Sequence, residues 1–207
     1  MSFRAFLISA LLALGGALPA RSAILLEGVL RGQAVTAETA GDLTRVVVTV
    51  GKERYLVEPG RSLVRRLEAG GPPGSPVTPA DDRKAVGQFT SSSLGGGVMV
   101  GDHAGTYQLV KEGERLCAEA LTSAWMIVYT RSIAASLELL ERLDKRIAPK
   151  PWGGCSSIRF TDYAEKGWPL LAGHKEETVF RTTRIRFDHK VDDTVLALLV
   201  DKPPAGP

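Results

Sequence analysis

Three short runs that combine apolar residues of high strand propensity with charged residues follow one another closely in the first third of the chain. The runs span residues 45–50, 53–58 and 61–67 and are rich in Val, Leu, Tyr and Arg. Short runs of this composition, bounded by turn residues, are typical of strands. Gly51-Lys52 and Pro59-Gly60 separate the runs and supply the backbone angles that tight reversals need. The pattern predicts a three-stranded meander with one apolar face, which another element has to cover.

A segment with helical periodicity can supply that cover. Residues 132–147 place apolar side chains at spacings of three and four along one face, namely Ile133, Leu137, Leu140, Leu143 and Ile147. Ser132 can cap the amino end, and Pro149 and Pro151 end the helix. The opposite, polar face carries two charge pairs at i,i+4 spacing, Glu138 with Arg142 and Glu141 with Lys145. This pattern predicts an amphipathic helix of about four turns.

The remaining strands are predicted from propensity and alternation. They span residues 24–32, 106–111, 157–162, 168–171 and 178–188. Residues 124–129 are apolar on every side and fit either a buried strand or the start of the helix, and their Trp, Ile, Val and Tyr content favours the strand.

Three segments are predicted to be connectors. Residues 33–42 are polar, residues 68–82 contain four prolines and three glycines, and residues 91–105 are rich in Ser and Gly. The resulting order of strands, helix and strands argues against alternating α/β units. It favours an antiparallel α+β domain.

The amino terminus has the pattern of a secretory signal peptide. Arg4 precedes an almost wholly apolar run over residues 5–18, and small residues follow around position 22. The run is too short to span a bilayer comfortably, so cleavage after residue 22 is favoured over an uncleaved anchor. We therefore expect a leader over residues 1–22, a single domain over residues 23–202 and a frayed tail over residues 203–207.

Charge and cysteine content refine this interpretation. Loss of the leader removes two arginines and no acid, so the mature chain keeps 24 basic and 23 acidic residues. A balance this close to neutral argues against a nucleic-acid partner.

The two cysteines, Cys117 and Cys155, are expected to form a disulfide in an oxidising compartment, although two buried thiols would fit the same spacing.

Several features together resemble the periplasmic lipoprotein-carrier superfamily, the LolA/LolB-like half-barrels. They are the leader, the strand-turn-strand VGKERYLVEPG over residues 50–60, the GWPL entry to a late hairpin at residues 167–170, and the LLVDKP end at residues 198–203. On these segments the chain is identified as an exported member of that superfamily.

The resemblance implies an antiparallel, incompletely closed β-barrel with one main amphipathic helix in its concave face. It also implies an apolar cavity for acyl chains or a partner's lipid anchor. The inward arginine that governs lipid release in the carriers could be Arg45, Arg54, Arg65 or Arg66. The side chains expected to line the cavity, or alternatively to form a packed core, are Val46, Val48, Val50, Tyr55, Val57, Leu63, Ile133, Leu137 and Leu140.

The sequence contains few groups of residues that could act in catalysis or bind a metal or a phosphate. His174 and His189 flank the late hairpin without a recognised metal spacing. Residues 91–93 and Asp102-His103 supply the residue types of a hydrolase triad but lack the Gly-x-Ser-x-Gly elbow. The glycine-rich residues 94–98 lack the Lys-Ser/Thr of a phosphate loop. We therefore expect no enzyme activity, no metal site and no cofactor.

The sequence thus favours a soluble, monomeric periplasmic binding protein that holds a lipid, a lipidated protein or another hydrophobic ligand. The alternative is a periplasmic interaction or envelope-sensing module with a filled core, which would act through a sheet edge and the segments 68–82 and 91–105. Transient contact with an anionic membrane could involve five basic residues, Arg65, Arg66, Arg142, Lys145 and Arg146.

Overall fold

The computed structural model describes residues 23–40, 44–80, 89–143, 155, 158–164, 166–175 and 177–200. The predicted leader, residues 144–147 of the predicted helix and the predicted tail lie outside these ranges. The strands are β1 (Ala23–Leu30), β2 (Gln33–Ala40), β3 (Val46–Val50), β4 (Glu53–Glu58), β5 (Leu63–Leu67), β6 (Phe89–Val100), β7 (His103–Glu112), β8 (Arg115–Ser123), β9 (Trp168–His174) and β10 (Glu177–His189). The helices are α1 (Ile127–Leu143), α2 (Phe160–Ala164) and α3 (Asp193–Leu199).

All ten strands form one antiparallel sheet in the order β5-β4-β3-β2-β1-β10-β9-β8-β7-β6. Pairing of β1 with β10 joins the amino-terminal half of the sheet to the carboxy-terminal half. The sheet is open, with β5 and β6 at its two edges. This architecture agrees with the predicted antiparallel α+β class.

The amino-terminal half contains the predicted meander. Strands β3, β4 and β5 pair in sequence, although a 3-10 turn over Pro59–Arg61 replaces the expected two-residue reversal before β5. The connector predicted over residues 33–42 is wrong, because Gln33–Ala40 forms β2 between β1 and β3. Its small side chains carry little apolar signal, yet Val35 and Ala37 are buried by the neighbouring strands.

The segment predicted as a proline-rich loop has no regular strand but lies against the sheet edge. Val64 and Val77 exchange two backbone hydrogen bonds of 2.9 and 2.8 Å, and the Gly74 N–H donates to the Arg66 carbonyl at 2.9 Å. Residues 74–77 therefore follow β5 and satisfy part of its outer edge.

The connector predicted over residues 91–105 is also wrong. It forms most of a long hairpin of β6 and β7 that reverses at residues 101–102. The register shifts twice along β6, and Gly95 and Gly97 have positive φ angles of 139° and 88°. Such irregularity is tolerated because β6 is an edge strand with one paired side. The predicted pairing of the two late strands is confirmed by β9 and β10.

The main helix begins earlier than predicted. Residues 124–129 are not a strand, since Ala124–Met126 form a 3-10 turn and α1 starts at Ile127. Ser132 consequently lies inside the helix rather than at its cap. Residues 160–164 form α2 instead of part of a strand. In both places tertiary packing overrides strand propensity, because Met126 and Phe160 are fully buried.

Both faces of the sheet are covered. The inner face, defined here as the one that α1 covers, packs Val46, Val48 and Val57 with Ile133, Leu137 and Leu140 in the main core. The outer face packs a smaller cluster, comprising Ala23, Ala40, Val47, Leu56, Val191, Val195 and Leu199, beneath α3. The predicted role of the apolar helical stripe is therefore confirmed.

The predicted disulfide is present. Cys117 of β8 and Cys155, which lies between α1 and α2, are bonded with their Cα atoms 4.9 Å apart, and both are buried. The bond fixes Cys155, which follows α1 in the chain, to strand β8 of the sheet.

Candidate functional site

A cleft that combines apolar and charged walls lies between α1 and the rim of the sheet. Its volume is about 850 Å³. We call it the arginine cleft. It is lined by Thr44, Arg45, Glu58, Pro59, Gly60, Arg61, Val128, Arg131, Ser132 and Ala135.

The helical wall follows directly from the periodicity of α1. Val128, Arg131, Ser132 and Ala135 recur at spacings of three and four, which places them on one face of the helix. This face is different from the stripe of Ile133 and its neighbours that covers the sheet. The helix thus covers the core with one face and borders open space with another.

The sheet wall is built by the turn after β4. Pro59–Arg61 form a 3-10 turn, and the next residue, Ser62, takes a left-handed conformation with φ of 53°. The Ser62 N–H donates to the Pro59 carbonyl at 3.1 Å. This compact turn brings Arg61 to the mouth of the cleft.

A single carboxylate organises the arginines on the sheet side. Glu58 is only 6 % exposed, and its Oε2 accepts from Arg61 Nη1 at 3.1 Å. Arg45 Nη2 lies 3.9 Å from the same oxygen, and Arg65 Nε lies 3.7 Å from Oε1. Arg45 also donates to the Leu198 carbonyl of α3 at 3.3 Å. One acid therefore holds three guanidinium groups at the rim.

The helical side adds a further cation and a hydroxyl. Arg131 is exposed and forms no hydrogen bond or ion pair with any other described residue. The Ser132 hydroxyl is buried in the cleft wall and has no hydrogen-bond partner among the described residues. The cleft thus offers net positive charge, a free donor and apolar contact at Val128, which suits an anionic group attached to an apolar one.

A second polar group of residues lies on α1 away from the cleft. Glu138 and Glu141 are buried where α1 meets α2, which contradicts the predicted solvent-facing charge pairs. The Thr161 hydroxyl donates to Glu138 Oε2. Arg142 donates to the carbonyls of Pro79 and Ala80, both at 3.0 Å. The prediction fails because α2 covers the polar face of the helix.

Glu141 is the most perturbed acid in this group. Burial raises the pKa of its carboxyl well above the ordinary value, although the Phe160 backbone N–H and the charges of Arg31 and Arg159 oppose the shift. Among the described residues, no side chain donates a hydrogen bond to either carboxylate oxygen. Burial likewise raises the pKa of the neighbouring Tyr163 phenol, assisted by the charge of Glu141.

The predicted cavity residues are brought together with one exception. Eight of the nine lie in the main core at 4 % exposure or less, namely Val46, Val48, Val50, Tyr55, Val57, Ile133, Leu137 and Leu140. Leu63 does not join them, because the turn after β4 places it opposite Glu58 on the outer face, and Val64 instead lies opposite Val57. These eight side chains pack against one another and do not border the arginine cleft.

The strand register shows which face of the sheet the candidates for the inward arginine occupy. Arg66 lies opposite Tyr55 and so shares the inner face, where it pairs with Glu53 at 2.6 Å. Arg65 lies opposite Leu56 on the outer face, and Arg54 alternates with Tyr55 to the same outer side. Arg45 is held by Glu58 at the rim.

Among the described residues, the side chains that a hydrolase or metal site would require do not lie close together. Ser93 lies opposite Gln108, five residues along β7 from His103, which is a separation of about 17 Å. His174 and His189 lie near opposite ends of β10, about 40 Å apart along the strand. The grouping of Glu112 with Cys117 and Cys155 offers no thiolate, because both cysteines are in the disulfide.

The arginine cleft has no direct signature in the sequence. The helical spacing of residues 128, 131, 132 and 135 indicates one shared face, but the composition of residues 124–129 favours a strand. The same kind of pattern places Arg61 in a strand rather than in the turn that presents it.

Comparison with known proteins adds no assignment. No protein-family model, curated protein or solved structure matches the chain. Within the described residues, no helix combines the length and the apolarity required to cross a bilayer.

Proposed function

We propose that this is a non-enzymatic, periplasmic binding protein that holds a lipid, a lipidated protein or a similar amphiphile with an acidic head group. The observation that carries the proposal is the arginine cleft, which combines unneutralised positive charge with apolar contact beside the helix that covers the core. Its volume of about 850 Å³ lies within the range of small-molecule sites.

In this proposal the open sheet is a half-barrel of the lipoprotein-carrier type, with α1 in its interior. The open antiparallel sheet and the single long helix packed on one face support this description. A buried disulfide supports an oxidising compartment, because such bonds persist mainly in exported proteins.

The head group would bind at the mouth of the cleft. Arg131 is free to pair with an anion, and Arg61 is 69 % exposed in its side chain although it also contacts Glu58. The Ser132 hydroxyl would gain the partner that it lacks. A charge-assisted hydrogen bond from each arginine would fix the anionic end of the ligand.

The apolar part of the ligand would follow α1 inward. Val128 and Ala135 border the cleft, and the core stripe of Ile133 and Leu137 lies on the other side of the same helix. An acyl chain could enter only by replacing contacts between this stripe and the sheet. Ligand uptake therefore requires a shift of α1. Apolar contacts made by the acyl chain would offset the free-energy cost of that shift.

The test is native mass spectrometry of the protein purified from an envelope fraction, followed by mass analysis of an organic extract. We expect a bound amphiphile, and uptake of an added anionic phospholipid by stripped protein. The paired change Arg61→Gln with Arg131→Gln should weaken uptake at least tenfold. Arg115→Gln is the matched control, because Arg115 is an exposed arginine at the far end of β8.

Two outcomes would overturn the proposal. One is an apo mass together with failure to take up fatty acid, phospholipid and lipopeptide. The other is an equal loss of uptake in the Arg115→Gln control. That result would mean that uptake depends on the net charge of the protein and not on the cleft.

A second candidate function is protein interaction through the edge strand β6. This strand carries no charged residue from Phe89 to Val100, and Leu94, Val98 and Met99 are at least half exposed. Among the described residues, nothing pairs with its outer edge. An extended segment of a partner protein could add a strand there.

This alternative has a distinct test. A photo-crosslinking residue at Leu94 should capture one discrete partner in cells, and Val98→Lys should abolish the adduct because an inserted charge blocks strand addition. Capture that survives Val98→Lys would reject strand addition. Lipid uptake should be unaffected by Val98→Lys if β6 acts independently of the cleft.

A further inference from the structure

Three exposed apolar side chains lie together where α1 begins. Trp125, Val128 and Tyr129 are 51 %, 69 % and 44 % exposed, and we call them the mouth patch. They follow one another across the 3-10 turn and the first turn of the helix. Large apolar groups that are exposed together, rather than singly, mark surfaces that contact another apolar phase or molecule.

The rings of the mouth patch are held in place from below. The Phe187 ring of β10, which packs on the main core, lies 5.3 Å from the rings of both Trp125 and Tyr129. The Trp125 and Tyr129 rings are themselves 6.4 Å apart. His103, at the tip of the β6–β7 hairpin, lies 6.2 Å from Trp125. Phe187 contacts both rings and His103 contacts Trp125, so two further elements, β10 and the β6–β7 hairpin, hold the rings in place.

Positive charge adjoins the mouth patch. Val128 belongs both to the patch and to the arginine cleft, so Arg131 and Arg61 line the cleft beside this member of the patch. The cleft's one acid, Glu58, is buried and already shared among three arginines. Asp188 follows Phe187 in β10, and strand alternation directs it to the opposite face of the sheet. Asp102 lies in the hairpin turn beside His103.

We propose that the mouth patch docks the protein on an anionic lipid bilayer, with Trp125 and Tyr129 in the head-group layer. Amphipathic rings of Trp and Tyr favour this layer, and arginines beside them are attracted to anionic lipid. The docking is peripheral and turns the mouth of the arginine cleft toward the membrane. It goes beyond the proposed function, because docking requires no ligand in the cleft.

The test is flotation of the full mature chain with vesicles of phosphatidylcholine alone and with added phosphatidylglycerol. We expect binding to the anionic vesicles, with weakening at high salt, and quenching of Trp fluorescence by brominated acyl chains. Trp125→Ala combined with Val128→Ser and Tyr129→Ala should reduce binding at least tenfold. Arg131→Gln should reduce it about fivefold.

The matched control is Met99→Ser, which removes an equally exposed apolar side chain from β6. It should bind vesicles like the unchanged protein. Circular dichroism of each variant separates loss of binding from loss of folding. Native mass spectrometry without vesicles measures ligand uptake separately, so a failure of docking is distinguishable from a failure of ligand binding.

Three results would overturn the inference. They are the absence of binding to anionic vesicles, equal binding to neutral vesicles, and full binding by the folded triple variant. Concentration-dependent dimerisation that the triple variant abolishes, without any vesicle binding, would assign the mouth patch to self-association instead.

Discussion

Glu58 Oε2 lies 3.1 Å from Arg61 Nη1, and this contact joins the end of β4 to the turn that forms one wall of the arginine cleft. The same carboxylate faces Arg45 and Arg65. Glu58 therefore keeps three cations close together at the rim while leaving the cleft positive overall. The arrangement predicts opposite effects of its removal on stability and on anion binding.

Glu58→Gln should lower the free energy of unfolding by about 2 kcal/mol, because the partly buried Arg45 loses its charged partner. The same change should tighten binding of an anionic amphiphile, since the cleft gains positive charge. Urea unfolding and native mass spectrometry measure the two effects. Glu53→Gln is the control, because its exposed pair with Arg66 should contribute less than about 1 kcal/mol. A weaker ligand complex in Glu58→Gln would contradict the assigned role.

Glu141 makes stability depend on pH in a defined direction. Burial raises the pKa of its carboxyl in the folded protein, so the folded state binds a proton more tightly than the unfolded chain. This contribution is fully present below the ordinary carboxyl pKa of 4.5 and is lost as the pH rises through the folded-state value. Arg31 and Arg159 oppose the shift, whereas Glu138 reinforces it.

Glu141→Gln should therefore flatten the fall in melting temperature between pH 5 and pH 8, and should stabilise the protein at the upper end by about 1 kcal/mol. Calorimetry across this range is the measurement. The exposed acid Glu114 supplies the control, and Glu114→Gln should retain the slope of the unchanged protein. A melting profile that is unaltered by Glu141→Gln would show that the carboxyl titrates normally.

Strong local patterns predicted the parts of this fold that depend on local sequence. The meander combines residues of high strand propensity with defined turns, residues 178–188 of the late hairpin place apolar side chains on one face, and the stripe of Ile133, Leu137 and Leu140 has unambiguous helical spacing. These predictions are confirmed in the structure because one face of each element is buried against a single neighbouring layer.

The errors arose where the local sequence gives no sign of the contact that decides the structure. The Gly-rich strand β6 is largely exposed, so no apolar alternation indicates it, and its hydrogen bonds come from β7. The start of α1 is helical although Val128 and Tyr129 favour strands. The sequence pattern predicts that Glu138 and Glu141 are surface residues, because nothing in the local sequence indicates that α2 covers them. The arginine cleft depends on the same non-local packing, so its two walls could not be paired from sequence.

The disulfide should provide a large share of the stability. Cys117 and Cys155 are separated by 38 positions, and closing a loop of that length stabilises the folded state by about 4 kcal/mol on the chain-entropy model. Replacing both cysteines by alanine should lower the unfolding free energy by about 2–5 kcal/mol in urea titrations. Addition of a reductant should destabilise the unchanged protein and leave the double variant unaffected. Equal sensitivity of both proteins to reductant would contradict this account.

The two faces of α1 should respond differently to truncation, because one is packed and the other borders the cleft. Leu137 is fully buried against the sheet, so Leu137→Ala should cost about 3 kcal/mol of unfolding free energy through lost contacts and a residual cavity. Val128 is 69 % exposed on the same helix, and Val128→Ala should change stability by less than about 0.5 kcal/mol. Urea unfolding of the two variants measures the contrast. Similar costs at both positions would mean that the cleft is closed in solution and that Val128 is covered, which would remove the open site on which ligand binding depends.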